Sequence, residues 1–541
     1  MQLARALLNA LKSYGAHEIF GIPGDFALPF FKHIEQSEIL PLYTLSHEPA
    51  VGFAADASAR YNSTLGVAAV TYGAGALNMV NAVACAYAEK SPLLVISGAP
   101  GVAEGEMNLG LHHQVKQLDS QYKVYQEITC AQTVLNDPRT APGEIERVLT
   151  SARLRSRPVY IELPRDMVEA EIGDVPGYGE TGSDPEAAET CARETMYLLR
   201  QAEQPALLLG VEVRRYGLED KVAELARRLA LPTATTFMAR GLMAEQTPLA
   251  IGTYLGLAGE EGIRRTVERA DSLLMLGVIL CDTNFGTSKR HIDMRRAIHA
   301  FDRAVQLSHH IYPEVSLSAF VDALLDIAEP VGARQSEPAP EIAAAPQAAK
   351  NTIAPDDIAA AVTRLFAQRG RMPIASDMGD CLFTALDMPY TELAAPGYYA
   401  TMGTGVPMGL GIEATSGRRT LILVGDGAFQ MTGWELGNCR RYGWRPIVLV
   451  FNNCAWGMLK AFQADASYND LDDWNFAGMA EPMGGRGYRV TTPQQLADAL
   501  DAAADGADNW HLIEIMIPRE VISQTLTRFT RAIAKKSVLG A

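Results

Sequence analysis

Residues 421–427 read LILVGDG and residues 446–453 read PIVLVFNN, and the fold class follows from these two runs. Each is an unbroken apolar segment of strand length closed by small or polar residues, the pattern of a strand buried on both faces of a parallel sheet. Asp426 stands between two glycines at the carboxyl end of the first run, and Asn452 and Asn453 close the second. In an open α/β sheet that edge is where ligands bind. If the runs are neighbouring strands, Asp426 and Asn453 emerge side by side and offer one carboxylate and one amide oxygen. Such a pair suits a hard cation of the Mg2+ type, which takes few protein oxygens and completes its shell with phosphate and water. Gly425 and Gly427 let a diphosphate approach the backbone. From Gly-Asp-Gly alone, a plain strand-turn-helix with Asp426 capping the helix is an equal reading. The paired asparagines favour the metal.

Outward from this stretch the same grammar recurs. A chain of 541 residues is too long for a single core, so about three domains are expected. Residues 1–175 alternate strands (19–21, 65–72, 92–97, 157–164) with helical stretches, one of them at 76–89 after Gly73-Ala74-Gly75. Residues 176–185 form a polar linker. Residues 186–328 carry strands at 205–210, 232–236, 272–277 and 298–302 without a nucleotide fingerprint. A proline- and alanine-rich linker at 329–351 leads to a third domain, 352–541, ending in a strand at 511–517 and a helix at 518–529. The expected class is α/β, with three open, mostly parallel sheets.

Bulk properties exclude several partners. The formal net charge of −16 argues against nucleic acid and against an anionic membrane surface. Seven scattered cysteines with no C-x-x-C pair read as reduced thiols of a cytoplasmic protein, not as a disulfide frame or zinc site. The opening MQLARALLNALKSYG has helical periodicity with charges throughout, so it is an amphipathic helix rather than a signal peptide. No apolar run approaches the roughly 20 residues that span a bilayer.

Three further groups carry chemistry. His112-His113 lies in a loop-like segment, and with Asp25 on another loop the pair can relay protons near neutral pH. Alone, a His pair is more often a surface loop or a metal fragment, and no third ligand stands at a metal-site spacing. Glu48 opens a helix, where the dipole alone would favour it. Asn78, just past the glycine turn, can meet a phosphate but is read as shaping the turn.

These stretches resemble the thiamine-diphosphate-dependent 2-oxo acid decarboxylases over essentially the whole chain, and within them the phenylpyruvate and indolepyruvate decarboxylases. The resemblance rests on GIPGD at 21–25, SHEPA at 46–50, HHQ at 112–114, GYYATMG at 397–403, Gly425-Asp426-Gly427, Asn452-Asn453 and YND at 468–470. It implies pyrimidine-binding, middle and diphosphate-binding domains, with the site between the first domain of one subunit and the third of another. A homodimer is then the minimum and a homotetramer the usual state. Glu48 would bond a pyrimidine nitrogen, a task suited to a buried carboxyl of raised pKa, and Asp25, His112 and His113 would protonate the enamine. Thr71, Gly425, Gly427 and Ala428 would line the cofactor, and Met402 would support it from below. Asp426, the Asn453 side chain and the Ala455 carbonyl would hold Mg2+.

One departure bears on the substrate. Pyruvate decarboxylases place a catalytic glutamate six residues past the second asparagine, where this chain has Leu459. With Trp456 and Met458, Leu459 is expected to make a drier pocket, fitted to an aryl 2-oxo acid rather than to pyruvate. The expected activity is non-oxidative decarboxylation of phenylpyruvate or indole-3-pyruvate. The alternatives are benzoylformate decarboxylation, carboligation of the acetolactate synthase type, or a non-catalytic cofactor-binding protein.

Overall fold

Runs of residues buried on both faces set the strands, and the strands assemble into three sheets. The computed structural model describes residues 1–105, 107, 109–179, 182–242, 249–285, 292–331, 351–506 and 508–539. The first sheet holds β1 (Ile19–Gly21), β2 (Leu42–Thr44), β3 (Gly66–Val70), β4 (Leu93–Ala99), β5 (Ala131–Val134) and β6 (Val159–Pro164). The second holds β7 (Pro205–Leu209), β8 (Thr233–Thr236), β9 (Ala250–Tyr254), β10 (Ser272–Leu276), β11 (Ala297–Phe301), β12 (Ala304–Leu307) and β13 (His310–Pro313). The third holds β14 (Ile374–Ser376), β15 (Leu393–Ala394), β16 (Leu421–Gly425), β17 (Ile447–Asn452), β18 (Arg486–Val490) and β19 (His511–Met516).

The first sheet runs β2-β1-β3-β4-β6-β5 and the third β15-β14-β16-β17-β19-β18. Both therefore follow one plan, second-first-third-fourth-sixth-fifth, with every pair parallel. The strand order reverses around the first strand, so a crevice opens beyond the carboxyl ends of the first and third strands. In one sheet that edge carries the residues after Gly21 and Val70; in the other it carries Asp377 and Asp426. The middle sheet runs β13-β12-β11-β10-β7-β8-β9, with β7 to β11 parallel and β12 and β13 added antiparallel.

Contacts divide the chain into two compact units. One comprises residues 1–181, 399–420 and 430–446; the other comprises 182–398, 421–429 and 447–541. The first is centred on the helix Glu48–Asn62, in which every residue from Ala50 to Arg60 is buried. The helix Gly405–Ser416 packs against it so closely that a Cβ on Gly411 would lie 2.3 Å from the Ala54 carbonyl. Arg60 is satisfied inside this packing by Asp56 at 2.7 Å and Glu89 at 3.4 Å. In the second unit the apolar faces of β16, β17 and β19 close on the helices Pro355–Arg369 and Pro493–Asp505.

The expected strands form, and the differences lie in what was not foreseen. β5, β9, β12, β13, β14, β15 and β18 are short or polar; β18 is Arg-Gly-Tyr-Arg-Val at a sheet edge, where one row of backbone groups needs no partner strand. The helix expected at 76–89 starts earlier, at Ala74, and is interrupted at Met79, giving Ala74–Asn78 and Val80–Ala88. The last helix is Gln524–Leu539 rather than 518–529. Ser523 sets its start: its hydroxyl accepts the Leu526 N–H, and its own N–H is held by Asp380. Of the two linkers, residues 180–181 and 332–350 lie outside the described residues. Among the described residues no helix is long and apolar enough to cross a membrane.

Candidate active site

The site in the first unit is built from the turn after β3. Gly73 takes a φ of +68° and opens the helix Ala74–Asn78, a conformation that glycine adopts without cost. A Cβ there would lie 2.2 Å from the His113 carbonyl oxygen, so the loop carrying the two histidines rests directly on this turn. The Tyr72 hydroxyl donates to the Leu118 carbonyl at 2.8 Å, and the Gly73 N–H donates to Gln121 Oε1 at 2.6 Å. Fully buried, Gln121 donates onward to Ser97 Oγ at 3.0 Å and to Glu162 Oε1 at 3.3 Å.

Both histidines converge on one carboxylate. His112 Nε2 is hydrogen-bonded to Asp25 Oδ2, and His113 Nε2 lies 3.6 Å from Asp25 Oδ1. Phe26 stacks on the His112 ring with centroids 4.6 Å apart, and His113 sits at a φ of +65°, a strained backbone for a non-glycine residue. Partial burial pushes the Asp25 carboxyl up, but the His112 ring, the Phe26 N–H and His113 outweigh it, so it lies below the usual range.

Glu48 is the first residue of its helix, with Pro49 next. Both oxygens of buried Glu435 accept the Ser46 N–H (3.2 and 3.0 Å), and the Asn438 amide donates to Ser46 Oγ at 3.1 Å. Burial pushes the Glu435 carboxyl up to about 7. On the side chain itself, Asn78 Nδ2 donates to Glu48 Oε2 at 2.8 Å. The atoms around it are close: a Cβ on Gly75 would lie 3.2 Å from Thr71 Cγ2 and 3.8 Å from Glu48 Oε1, and one on Gly24 would strike Thr71 at 2.5 Å. Thr71 Oγ1 is buried there without a protein hydrogen-bond partner. Met402 is half-buried in the same unit, between Thr401, whose hydroxyl accepts the Asn81 amide at 2.8 Å, and Gly403 at a φ of +80°.

In the second unit, β16 and β17 pair with Gly425 opposite Phe451, which brings Asp426 and Asn453 out together. Asp426 Oδ1 accepts the Gly427 N–H at 2.8 Å. The Ala455 N–H is shared between Asp426 Oδ2 at 3.2 Å and Asn453 Oδ1 at 3.1 Å, so these two oxygens meet at one donor. The Ala455 carbonyl accepts the Gly457 N–H at 2.8 Å. Burial pushes the Asp426 carboxyl up to about 6, although four backbone N–H groups favour its charged form. A Cβ on Gly425 would enter open space, one on Gly427 would lie 2.2 Å from the Trp456 ring, and one on Gly457 would lie 2.3 Å from Asn453 Nδ2.

Three family models match this chain: the N-terminal TPP binding domain of the thiamine pyrophosphate enzymes over residues 1–124, their central domain over 192–327 and their C-terminal TPP binding domain over 377–515. The chain is 58% identical over 538 residues to an indole-3-pyruvate decarboxylase of Azospirillum brasilense, covering 98% of each protein. It is 31% identical to an alpha-keto-acid decarboxylase of Mycobacterium tuberculosis over 98% of this chain and 96% of that one. The chain belongs to the thiamine-pyrophosphate-dependent 2-oxo acid decarboxylases.

For such a decarboxylase the donor sets fit the cofactor. The unpartnered Thr71 hydroxyl and the Glu48 carboxylate offer polar contacts to a ring in the first unit. In the second, a cation would offset the burial of Asp426, and the open space at Gly425 and the bare backbone at Gly427 leave room for phosphate oxygens. Ala428, next in the chain, is buried. The three residues expected in the substrate pocket take different positions: Trp456 lies over Gly427, Met458 packs toward Phe383 and Leu526, and Leu459 is 54% exposed on the short helix Gly457–Lys460.

Several residues of this decarboxylase were not foreseen. Asn78 was read as shaping a turn, yet its amide orients Glu48. Gln121 and Glu435 are isolated polar residues whose only signal is burial, which a sequence does not display, and Asn438 is half-buried beside Glu435. The network under Gly73 yields a direct test at Glu162, whose carboxyl burial pushes up to about 7 from 4.5. Between those two pH values the folded chain holds a proton that the unfolded chain has lost, so this group makes stability fall as pH rises. Glu162→Gln is expected to remove that fall, so its stability relative to wild type should rise across the window by about 3 kcal/mol. Denaturant unfolding at both ends of the window measures it, and a difference that does not change with pH would contradict it.

Proposed function

We propose that this enzyme converts an aryl-substituted 2-oxo acid, phenylpyruvate or indole-3-pyruvate, to the aldehyde and CO2, with thiamine diphosphate held through Mg2+. The observation that carries the proposal is the convergence of His112 and His113 on Asp25, in the unit that also joins Glu48 to Thr71. Thiamine diphosphate, when bound, supplies the electron sink for the departing CO2. The chain's own groups do the rest. Glu48, oriented by Asn78 at Oε2, presents its carboxylate to a ring nitrogen; Asp25, His112 and His113 hold and deliver the proton the product needs. Met402 would support the cofactor.

Asp426, Asn453 and the Ala455 carbonyl would hold Mg2+, an all-oxygen set of the kind this ion takes. Leu459 in place of an acid favours an aryl side chain, and the name of the Azospirillum relative points the same way. We further infer a homodimer as the minimum and a homotetramer as the usual state, in the cytoplasm. Exposed Met431 and Trp434 support association, and the scattered free cysteines support a reducing compartment.

Steady-state comparison of pyruvate, 2-oxobutanoate, benzoylformate, phenylpyruvate and indolepyruvate, with thiamine diphosphate and Mg2+, tests this. The aryl pyruvates are expected to exceed pyruvate in kcat/KM by about tenfold or more, with free aldehyde as the product. Best turnover on pyruvate would refute the pocket reading. A coupled hydroxyketone would point to carboligation instead.

A further inference from the structure

Along the sequence the His112-His113 pair has no third ligand at a metal-site spacing, but the fold supplies one in Asp25. We propose that Asp25, His112 and His113 form a site for a borderline transition-metal cation, represented by Zn2+, and that its occupation stops turnover. The inhibitory part rests on the reading of these three groups as the proton relay.

The ligand atoms of the three residues all lie within 4.8 Å of one another, and among the described residues this is the one group of three His, Cys, Asp or Glu side chains that meets that condition. Both Nε2 atoms face the same carboxylate, one bonded to Oδ2 and the other 3.6 Å from Oδ1. Two imidazoles and a carboxylate on one side of an open position are a ligand set for Zn2+, Co2+, Ni2+ or Fe2+. With bonds of about 2.0–2.2 Å, donors on one tetrahedral ion stand roughly 3.4 Å apart, so little closure is needed.

The surroundings keep the rings in place without sealing them. Phe26 fixes the His112 ring by stacking, and the His113 backbone is seated on Gly73. The side chains are 60%, 33% and 41% exposed for His112, His113 and Asp25, enough for an ion to enter with its own water. Arg165, whose guanidinium lies 5.1 Å from the Phe26 ring centre, is the nearby positive charge, and Glu104 pairs with it. Mg2+ does not compete well, because it prefers oxygen ligands and sheds water reluctantly. A bound cation uses the imidazole lone pairs and the carboxylate, so none of the three can accept or pass a proton.

The test is calorimetric titration of the holoenzyme with Zn2+ at saturating Mg2+ and without substrate, with activity followed in parallel. A single Zn2+ per subunit is expected, with turnover falling about tenfold or more over the same range and returning after EDTA and fresh Mg2+. His113→Ala and Asp25→Ala should each lose the binding heat. Equal binding by the His113→Ala and Asp25→Ala variants, or no binding by wild type, would overturn the site. The binding is read without turnover, so failure of the proposed activity and failure of the metal site are separate results.

Discussion

Glu48→Gln is expected to lower kcat by about 10²- to 10⁴-fold, the contribution of a positioned acid–base group, while thiamine diphosphate is still retained in part. The backbone that carries this side chain is fixed from outside it: Glu435 holds the Ser46 N–H and Asn438 holds the Ser46 hydroxyl. Glutamine has the same shape, and its carbonyl oxygen can take the Asn78 N–H as Glu48 Oε2 does at 2.8 Å. The variant should therefore fold, and what it loses is the capacity to hold and release a proton. If Glu48 were only a first-turn glutamate favoured by the helix dipole, the same change would cost about 0.3–1 kcal/mol of stability and leave turnover alone. Initial rates on the best aryl 2-oxo acid, together with the thermal shift on adding thiamine diphosphate and Mg2+, separate the two. Wild-type turnover in a folded, cofactor-binding variant would remove Glu48 from the mechanism.

The part of the molecule that could be read in advance is the part whose signal is local. Residues 421–427 and 446–453 are strands buried on both faces, and their apolar runs declare it; the register Gly425 to Phe451 then places Asp426 beside Asn453. The same holds for β3 and β4 and the glycine turn between them. What could not be read depends on distance along the chain. Asp25 and His112 are 87 residues apart, and only the order β1-β3-β4, with the loop seated on Gly73, brings them together. Gln121 and Glu435 act through buried hydrogen bonds, which leave no periodicity. An edge strand such as β18 escapes because a half-paired strand tolerates charge, and charge is what marks a loop in a sequence. Motif resemblance named Asp25, His112 and His113 together despite this, since it compares positions and not patterns.

Asp426→Asn should raise the Mg2+ concentration needed for half-maximal activity by about 100-fold, because it replaces the charged oxygen of an Mg2+ set with a neutral one. The substitution is chosen to spare the fold. An amide oxygen can still accept the Gly427 N–H that Oδ1 takes at 2.8 Å, and the Ala455 N–H keeps Asn453 Oδ1 at 3.1 Å. One backbone bond to Oδ2 is lost, a cost of about 1 kcal/mol, and it is offset because a buried carboxyl pushed up to about 6 no longer has to ionise. Without cofactor the variant should thus melt near the wild-type temperature or above it. With cofactor and Mg2+ the order should reverse, since only wild type gains the full stabilisation by a ligand that binds the folded state. Melting curves of both proteins without and with cofactor, and an Mg2+ titration of each, decide it. An unchanged Mg2+ requirement would show that Asp426 serves the turn and not the metal, and would return residues 421–427 to the plain strand-turn-helix that the Gly-Asp-Gly motif alone allows.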